Sequence, residues 1–236
     1  MTIIQDIESV VGEKGLITGK DVFNRKAGIW IDDGIRADAI VRPKDTLELS
    51  KVLAICNKNK QAVIPHGGLT GLAEGAITQQ GQIAISSERL TAIEEVDEIG
   101  RTMTLQAGVP LEKAQEEAEK YNLMLPVDLG ARGSCTVGGN ISTNAGGNMV
   151  IKYGMMRDSV LGLEAVLADG QVMTSMNQML KNNSGYDLKQ LFIGTEGTLG
   201  YVSKAVLRLR EKPKSTNTAL LAIESFEDVI KFLKFI

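Results

Sequence analysis

The chain has 236 residues, a formal net charge of −3, and 43% hydrophobic against 23% charged residues, a composition that suits a globular protein able to bury its own core. The acidic balance gives nucleic acid or an anionic membrane no electrostatic reason to bind, and no stretch approaches the roughly 18 apolar residues of a membrane span. A single histidine, His66, excludes a multi-histidine metal site within these residues, and the two distant cysteines, Cys56 and Cys135, fit no zinc or CxxC pattern and point to a reducing, cytoplasmic compartment.

Ile3, Ile4, Ile7, Val10 and Val11 recur at helical spacing and predict a short amphipathic helix, not a signal peptide, with Gly12 as its stop. Residues 13–35 are mixed and turn-rich. AIVRP (39–43) reads as a short strand ended by Pro43. Asp45 and Glu48 have capping-box spacing, and Leu49, Val52, Leu53 and Cys56 mark one face of a helix reaching about residue 60. AVIP (62–65) reads as a strand leading into PHGGLTGL, and IAISS (83–87) as the next strand, an order that predicts a small open α/β layer.

Further on, TMTLQAG (102–108) is strand-like. LEKAQEEAEKYNL (111–123) is helical, with Leu111, Ala114, Ala118 and Tyr121 inward. Residues 160–173 read as two strands joined at an Asp169-Gly170 hairpin signal. In KAVLRLR (204–210), Ala205, Leu207 and Leu209 alternate with Lys204, Arg208 and Arg210, as antiparallel strands do. Pro213 and Lys214 read as a linker. From Thr218 the pattern is strand, turn, helix, stopping at Ile236; such a pair cannot close a core, so the start of a further domain is expected. Exposed apolar residues of 219–236 are expected to drive self-association.

Three glycine clusters need a reason: 65–72, 128–147 and 194–200. Glycine is costly inside helices and strands, but it lets a bare backbone approach an anion and aim its N–H groups at it. No two glycines are separated by one residue, so GxGxxG is absent, and so is GxxxxGK[ST]. A Rossmann dinucleotide site and a P-loop are therefore disfavoured. In the first cluster, Gly67, Gly68 and Gly71 with Thr70 can cradle a pyrophosphate, or serve only a tight turn. In the second, Ser134, Asn140, Thr143 and Asn144 add polar side chains for ring edges. The third is as readily a turn into the last strand.

PHGGLTGL, DLGARGSCTVGGNISTNAGG, YG three residues before RD, GLEAVLADG and NSGYDLKQLFIGTEGTLG follow one another in this order. Over about residues 36–212 they resemble the FAD-binding domain of the vanillyl-alcohol-oxidase / p-cresol-methylhydroxylase superfamily, closest to the D-2-hydroxyglutarate, D-lactate and glycolate dehydrogenase group. The resemblance implies an α+β, PCMH-type fold of two α/β subdomains, the second mainly antiparallel, with FAD between them. It divides the chain into an N-terminal helical segment (1–35), subdomains at 36–99 and 100–212, and a linker with the start of a cap domain (213–236).

By the same resemblance, Pro65, His66, Gly67, Gly68, Leu69, Thr70, Gly71 and Leu72 face the pyrophosphate. Asp128, Gly130, Gly133, Ser134, Thr136, Gly138, Gly139, Asn140, Thr143, Asn144, Ala145, Gly146 and Gly147 surround the pyrophosphate, ribityl chain and flavin, and Glu196, Gly197, Gly200 and Val202 close the site. The implied chemistry oxidises a 2-hydroxy acid to a 2-oxo acid by hydride transfer to flavin N5, with an external electron acceptor. Some superfamily members attach FAD through a histidine just after the paired glycines; here that position is Leu69, so noncovalent FAD is expected and His66 reads as a loop residue near the phosphates. The family's substrate arginine and histidine-rich metal motif belong to the cap, so no catalytic residue and no metal ligand is carried over. The alternative is a noncatalytic flavin module or one subunit of a split enzyme. Arg132, Lys152 and Lys181 are candidates for a cation near the flavin, or plain surface charges.

Overall fold

The computed structural model describes residues 2–29 and 31–235. Two sheets organise the backbone. The first has the order Leu16–Thr18, Ala39–Val41, Ile83–Ser86, Val63–His66. Its last three strands are parallel, and Leu16–Thr18 is an antiparallel edge. Parallel neighbours need a crossover, and the helix Thr46–Lys58 lies in the connection from Ala39–Val41 to Val63–His66. Val41, Ile83 and Ile85 pack against Ile7, Leu49 and Val52, while Ile40 and Ala84 meet Val22, Ala27 and Ile35 on the other face. Burial on both faces explains why 39–41 and 83–85 are unbroken apolar runs.

The helix Thr46–Lys58 starts with a variant of the expected capping box. The Asp45 carboxylate accepts from the Glu48 N–H at 2.8 Å, but the Glu48 carboxylate reaches one residue beyond the cap, to the Lys44 N–H at 2.9 Å. At the N-terminus, helix Ile3–Val11 packs on Thr46–Lys58 through Ile7 and Val11, and Gly12 ends it at φ 68°.

The second sheet runs Val172–Ser175, Val160–Val166, Tyr201–Arg208, Thr102–Gln106, Ile93–Asp97, and every neighbouring pair is antiparallel. Leu105, Leu163 and Leu207 form one core with Leu111 and Ala114 of the helix Leu111–Glu119 and Ile141 of the helix Val137–Ser142. A parallel-centred layer joined to an antiparallel sheet gives the α+β architecture that the glycine-rich motifs imply.

Several boundaries differ from the sequence-based expectation. The strand predicted over 62–65 is shifted to Val63–His66, which takes His66 out of the loop and onto the sheet, opposite Ser86. The helix predicted to residue 123 ends at Glu119, and Tyr121 is half-buried beyond it. Arg210–Glu211 leaves the long strand and pairs with Leu123–Met124. Residues 218–223, expected as a strand, are not one: no other segment among the described residues offers them a ladder of hydrogen bonds. The helix that follows is Phe226–Phe235.

The two sheets meet along a seam fixed by polar contacts. The Thr46 hydroxyl donates to the Glu164 carboxylate at 2.6 Å, which also accepts from the Ser203 hydroxyl at 2.8 Å. The Ser50 hydroxyl donates to the Gly170 carbonyl at 2.6 Å, in the hairpin turn marked by Asp169-Gly170. Thr46→Val and Ser50→Ala are each expected to cost about 1 kcal/mol. The check is a lower denaturant midpoint at unchanged m-value.

Candidate cofactor site

A cleft of about 520 Å³ opens along this seam. Its first wall is the loop that leaves the carboxyl end of Val63–His66, where open α/β sheets receive ligands. Pro65, His66, Gly67, Gly68, Leu69, Thr70, Gly71 and Leu72 all line it. Among the described residues, no N–H from Gly67 to Ala76 donates to a protein acceptor; the first that does is Ile77, to the Glu74 carbonyl at 3.0 Å. Backbone donors are normally satisfied. A run of unpaired ones along a cleft wall suits an anion.

The second glycine cluster works differently. Val137 and Gly138 N–H groups donate to the carbonyls of Val109 and Ala107 at 2.9 and 2.7 Å, and the Gly139 N–H donates to the Thr136 hydroxyl at 3.3 Å. The donors of 137–139 are therefore spent on the protein. What it offers the cleft is the surface of Thr136, Gly138, Gly139, Asn140, Thr143 and Ala145. Asn140 is buried, and its amide nitrogen has only the Cys135 sulfur as partner, at 3.6 Å.

Glycine is required where the walls touch. A Cβ on Gly68 would overlap the Ser134 carbonyl oxygen. Gly197, at φ +82°, lies against Pro65, whose Cγ would be 2.5 Å from an added Cβ. The three clusters are thus fitted to one another, Gly68 against the Ser134 backbone and Gly197 against the Pro65 ring. Glu196, Gly197 and Val202 complete the lining from the third cluster.

The remaining expected residues stand behind the wall. Ser134 supports Gly68; Asp128 pairs with Arg132 at 3.2 Å and its carbonyl accepts from the Asn148 N–H at 3.0 Å. Gly130, Gly133, Gly146, Gly147 and Gly200 do not line the cleft. Asn144 does not either: its side-chain oxygen accepts from the Arg157 N–H at 3.0 Å, and the Arg157 guanidinium reaches the Gln190 and Ile193 carbonyls at 3.0 and 2.6 Å. That arrangement accounts for the RD motif as a brace for the 140s loop. Lining residues not anticipated include Ala27 and Ile31 from a short hairpin, Glu74, Ser87, Ser142 and Tyr201. For Glu74 the signal was available, because the loop simply continues past Leu72; Tyr201 reads as an ordinary strand residue.

Among the described residues no lysine or arginine lines this cleft, whereas Glu74 and Glu196 do; Arg25 and Lys26 line a smaller pocket that shares His66, Gly67 and Leu69 with it. Arg132, Lys152 and Lys181 are absent from its wall, and Lys152 lies 5.3 Å from the centre of the Tyr153 ring. Burial lowers the pKa of His66 below its ordinary 6.5 and raises the Tyr201 phenol well above the usual range. Burial also pushes the Cys56 thiol up to about 11, which makes it an inert core group, and raises Cys135. Among the described residues, no three His, Cys, Asp or Glu side chains form a group that could hold a metal, and no helix is long and apolar enough to cross a membrane.

A seam cleft walled by unpaired N–H groups and interlocked glycine loops suits a large phosphate-bearing cofactor. Residues 37–175 match the family described as FAD binding domain. The chain belongs to that family, and its cofactor is FAD. It is 46% identical over 189 residues to a D-2-hydroxyglutarate dehydrogenase of Xanthomonas citri, covering 80% of this chain and 40% of that protein. It is 44% identical over 195 residues to a mitochondrial D-2-hydroxyglutarate dehydrogenase of Danio rerio, covering 83% of this chain and 37% of the other. The solved structure of p-cresol methylhydroxylase with substrate bound shares the fold, with a TM-score of 0.75 at 20% identity, over 90% of this chain and 44% of that one. The chain spans less than half the length of these proteins.

Two outcomes follow from the wall. Gly68→Ala is expected to lower FAD uptake strongly, while Gly71→Ala, whose Cβ would meet no protein atom within 4 Å, melts like wild type; flavin absorbance and melting curves read both. His66 is neutral in folded and unfolded chains above about pH 6.5. Below it, the unfolded chain binds a proton that the folded one does not, so stability falls until the depressed folded pKa is passed. Melting midpoints from pH 7.5 to 5 should show this loss in wild type and lack it in His66→Gln.

Proposed function

We propose that the chain is the FAD-binding part of an oxidoreductase that converts a D-2-hydroxy acid, such as D-2-hydroxyglutarate, D-lactate or glycolate, to the 2-oxo acid. The observation that carries this reading is the run of unpaired N–H groups at 67–76 along the seam cleft, in a chain whose relatives are named D-2-hydroxyglutarate dehydrogenase. FAD, when bound, supplies the hydride acceptor and passes the electrons to an external acceptor. The chain's own residues bind and orient it. N–H groups of Gly67 to Leu72 would hold the diphosphate, Thr136, Asn140 and Thr143 would offer side-chain hydrogen bonds, and the backbone at Gly197 and Val202 would close the site. FAD is held noncovalently: Leu69 has no nucleophilic atom, and the His66 ring is buried in a hydrogen bond to Ala76.

The substrate is a carboxylate, and carboxylates are held by cations. The cleft wall has none. That supports a substrate site completed by other polypeptide, either a cap domain or a separate partner chain. The second reading, a flavin module or split-enzyme subunit inactive alone, draws on the same observation. Both cysteines are free and buried, which goes with a reducing, cytoplasmic setting. Phe226, Ile230 and Leu233 form an exposed apolar stripe on the last helix, which favours self-association through 219–236.

Reconstituted chain is expected to hold FAD that is released completely into the supernatant on acid precipitation; protein-bound yellow colour would contradict the noncovalent reading. With D-2-hydroxyglutarate, D-lactate and a dye acceptor, the chain alone should give no turnover. Turnover would place a complete substrate site within these residues. Concentration-dependent association in light scattering should vanish in Ile230→Lys.

A further inference from the structure

His66 opens the loop whose N–H groups have no acceptors among the described residues, and the residue is buried, 2% exposed. Nε2 lies 2.9 Å from the carbonyl oxygen of Ala76, ten residues on. A carbonyl oxygen only accepts, so the proton of this hydrogen bond sits on Nε2, and Nδ1 is left as the acceptor. The bond therefore joins the two ends of the loop 67–75 across its base. The backbone of the same residue is held as well. The His66 carbonyl accepts from the Tyr201 hydroxyl of the second sheet at 3.2 Å and from the Ser87 N–H at 3.0 Å.

We propose that His66 is a positioning residue for the cofactor: its ring clasps the base of the loop 67–75 and so keeps the loop's free N–H groups in the arrangement that receives the diphosphate of FAD. The proposal rests on the FAD reading above. No other side chain of the loop is hydrogen-bonded across its ends among the described residues. The hydrogen bond closes the loop before the ligand arrives, so less of the ordering cost falls on binding. Of the charged groups near the ring, Arg25 and Glu88 are paired with each other at 2.7 Å and present it with an ion pair rather than a net charge.

A chain with one histidine allows a direct test, because its imidazole 15N signals belong to one residue. The full chain without FAD should show the Nε2-protonated tautomer, with that proton protected from solvent exchange. The Nδ1-protonated tautomer, or exchange at the solvent rate, would overturn the clasp. FAD titration gives the second arm. His66→Leu, which leaves the Ala76 carbonyl without its donor, should weaken FAD binding about tenfold or more, and His66→Gln, whose amide can donate in place of Nε2, should stay within about threefold of wild type. A His66→Leu chain that melts earlier but binds FAD at wild-type strength would make the ring merely structural and end the proposal. Should His66→Leu not fold, the tautomer measurement and His66→Gln still decide it. A wild-type chain that takes up no FAD would sink the cofactor reading itself, an outcome distinct from the loss of the clasp.

Discussion

Everything at the seam depends on a run of backbone donors that the protein itself leaves without acceptors. Between Gly67 and Ala76 the chain makes no backbone hydrogen bond through its N–H groups, yet the loop must not wander or collapse onto a nearby carbonyl. Ordinary loops solve that problem by pairing their donors. Apart from the His66 clasp at its base, this one is held from outside. The Ser134 carbonyl packs on Gly68, Gly197 packs on Pro65, and Tyr201 holds the His66 carbonyl. Much of the rigidity therefore comes from the second sheet and its loops, alongside the His66 clasp at the loop's base, while the donors belong to the first. Neither half makes the site alone, which is why the seam contacts of Thr46, Glu164 and Ser50 matter to it.

Part of the backbone near the cleft is also held in conformations that non-glycine residues seldom adopt. Leu69, Glu74 and Glu196 have φ of 53°, 62° and 52°, and all three line the cleft. Each costs on the order of 1 kcal/mol or more relative to a relaxed backbone. The surroundings must over-determine these positions for them to persist. Glu196 shows how: its N–H donates to the Ser142 carbonyl at 2.9 Å, which ties the third glycine cluster to the second.

Much of this was legible in the sequence, for identifiable reasons. Close approach of two backbones demands a residue without Cβ, so the three clusters announce themselves by residue type alone. The hairpin at Asp169-Gly170 and the alternation at 204–210 announce the antiparallel sheet in the same way. What a sequence cannot display is which acceptor a given N–H meets. The donors of 137–139 look as free as those of 67–71 until Ala107 and Val109 are placed beside them by the strand Thr102–Gln106 and its turn. His66 was misplaced for a similar reason: one residue of strand extension, set by pairing with Ser86, turns a loop side chain into a buried one. The segment 218–223 has a strand's composition, but a strand is a relation between two segments and needs the second one.

The charge of the cleft narrows its chemistry further. A diphosphate carries negative charge, and most proteins meet it with lysine or arginine. Here the wall contributes only neutral donors and two carboxylates. Dipoles of fixed N–H groups are short-ranged, so they reward a phosphate that fits the loop and give little to an anion at a distance. A free carboxylate finds no cation on this wall among the described residues, so an anion gains from it only by fitting the loop. This wall is thus a neutral, geometric receptor, in which the position of each fixed N–H group selects the anion more than charge does.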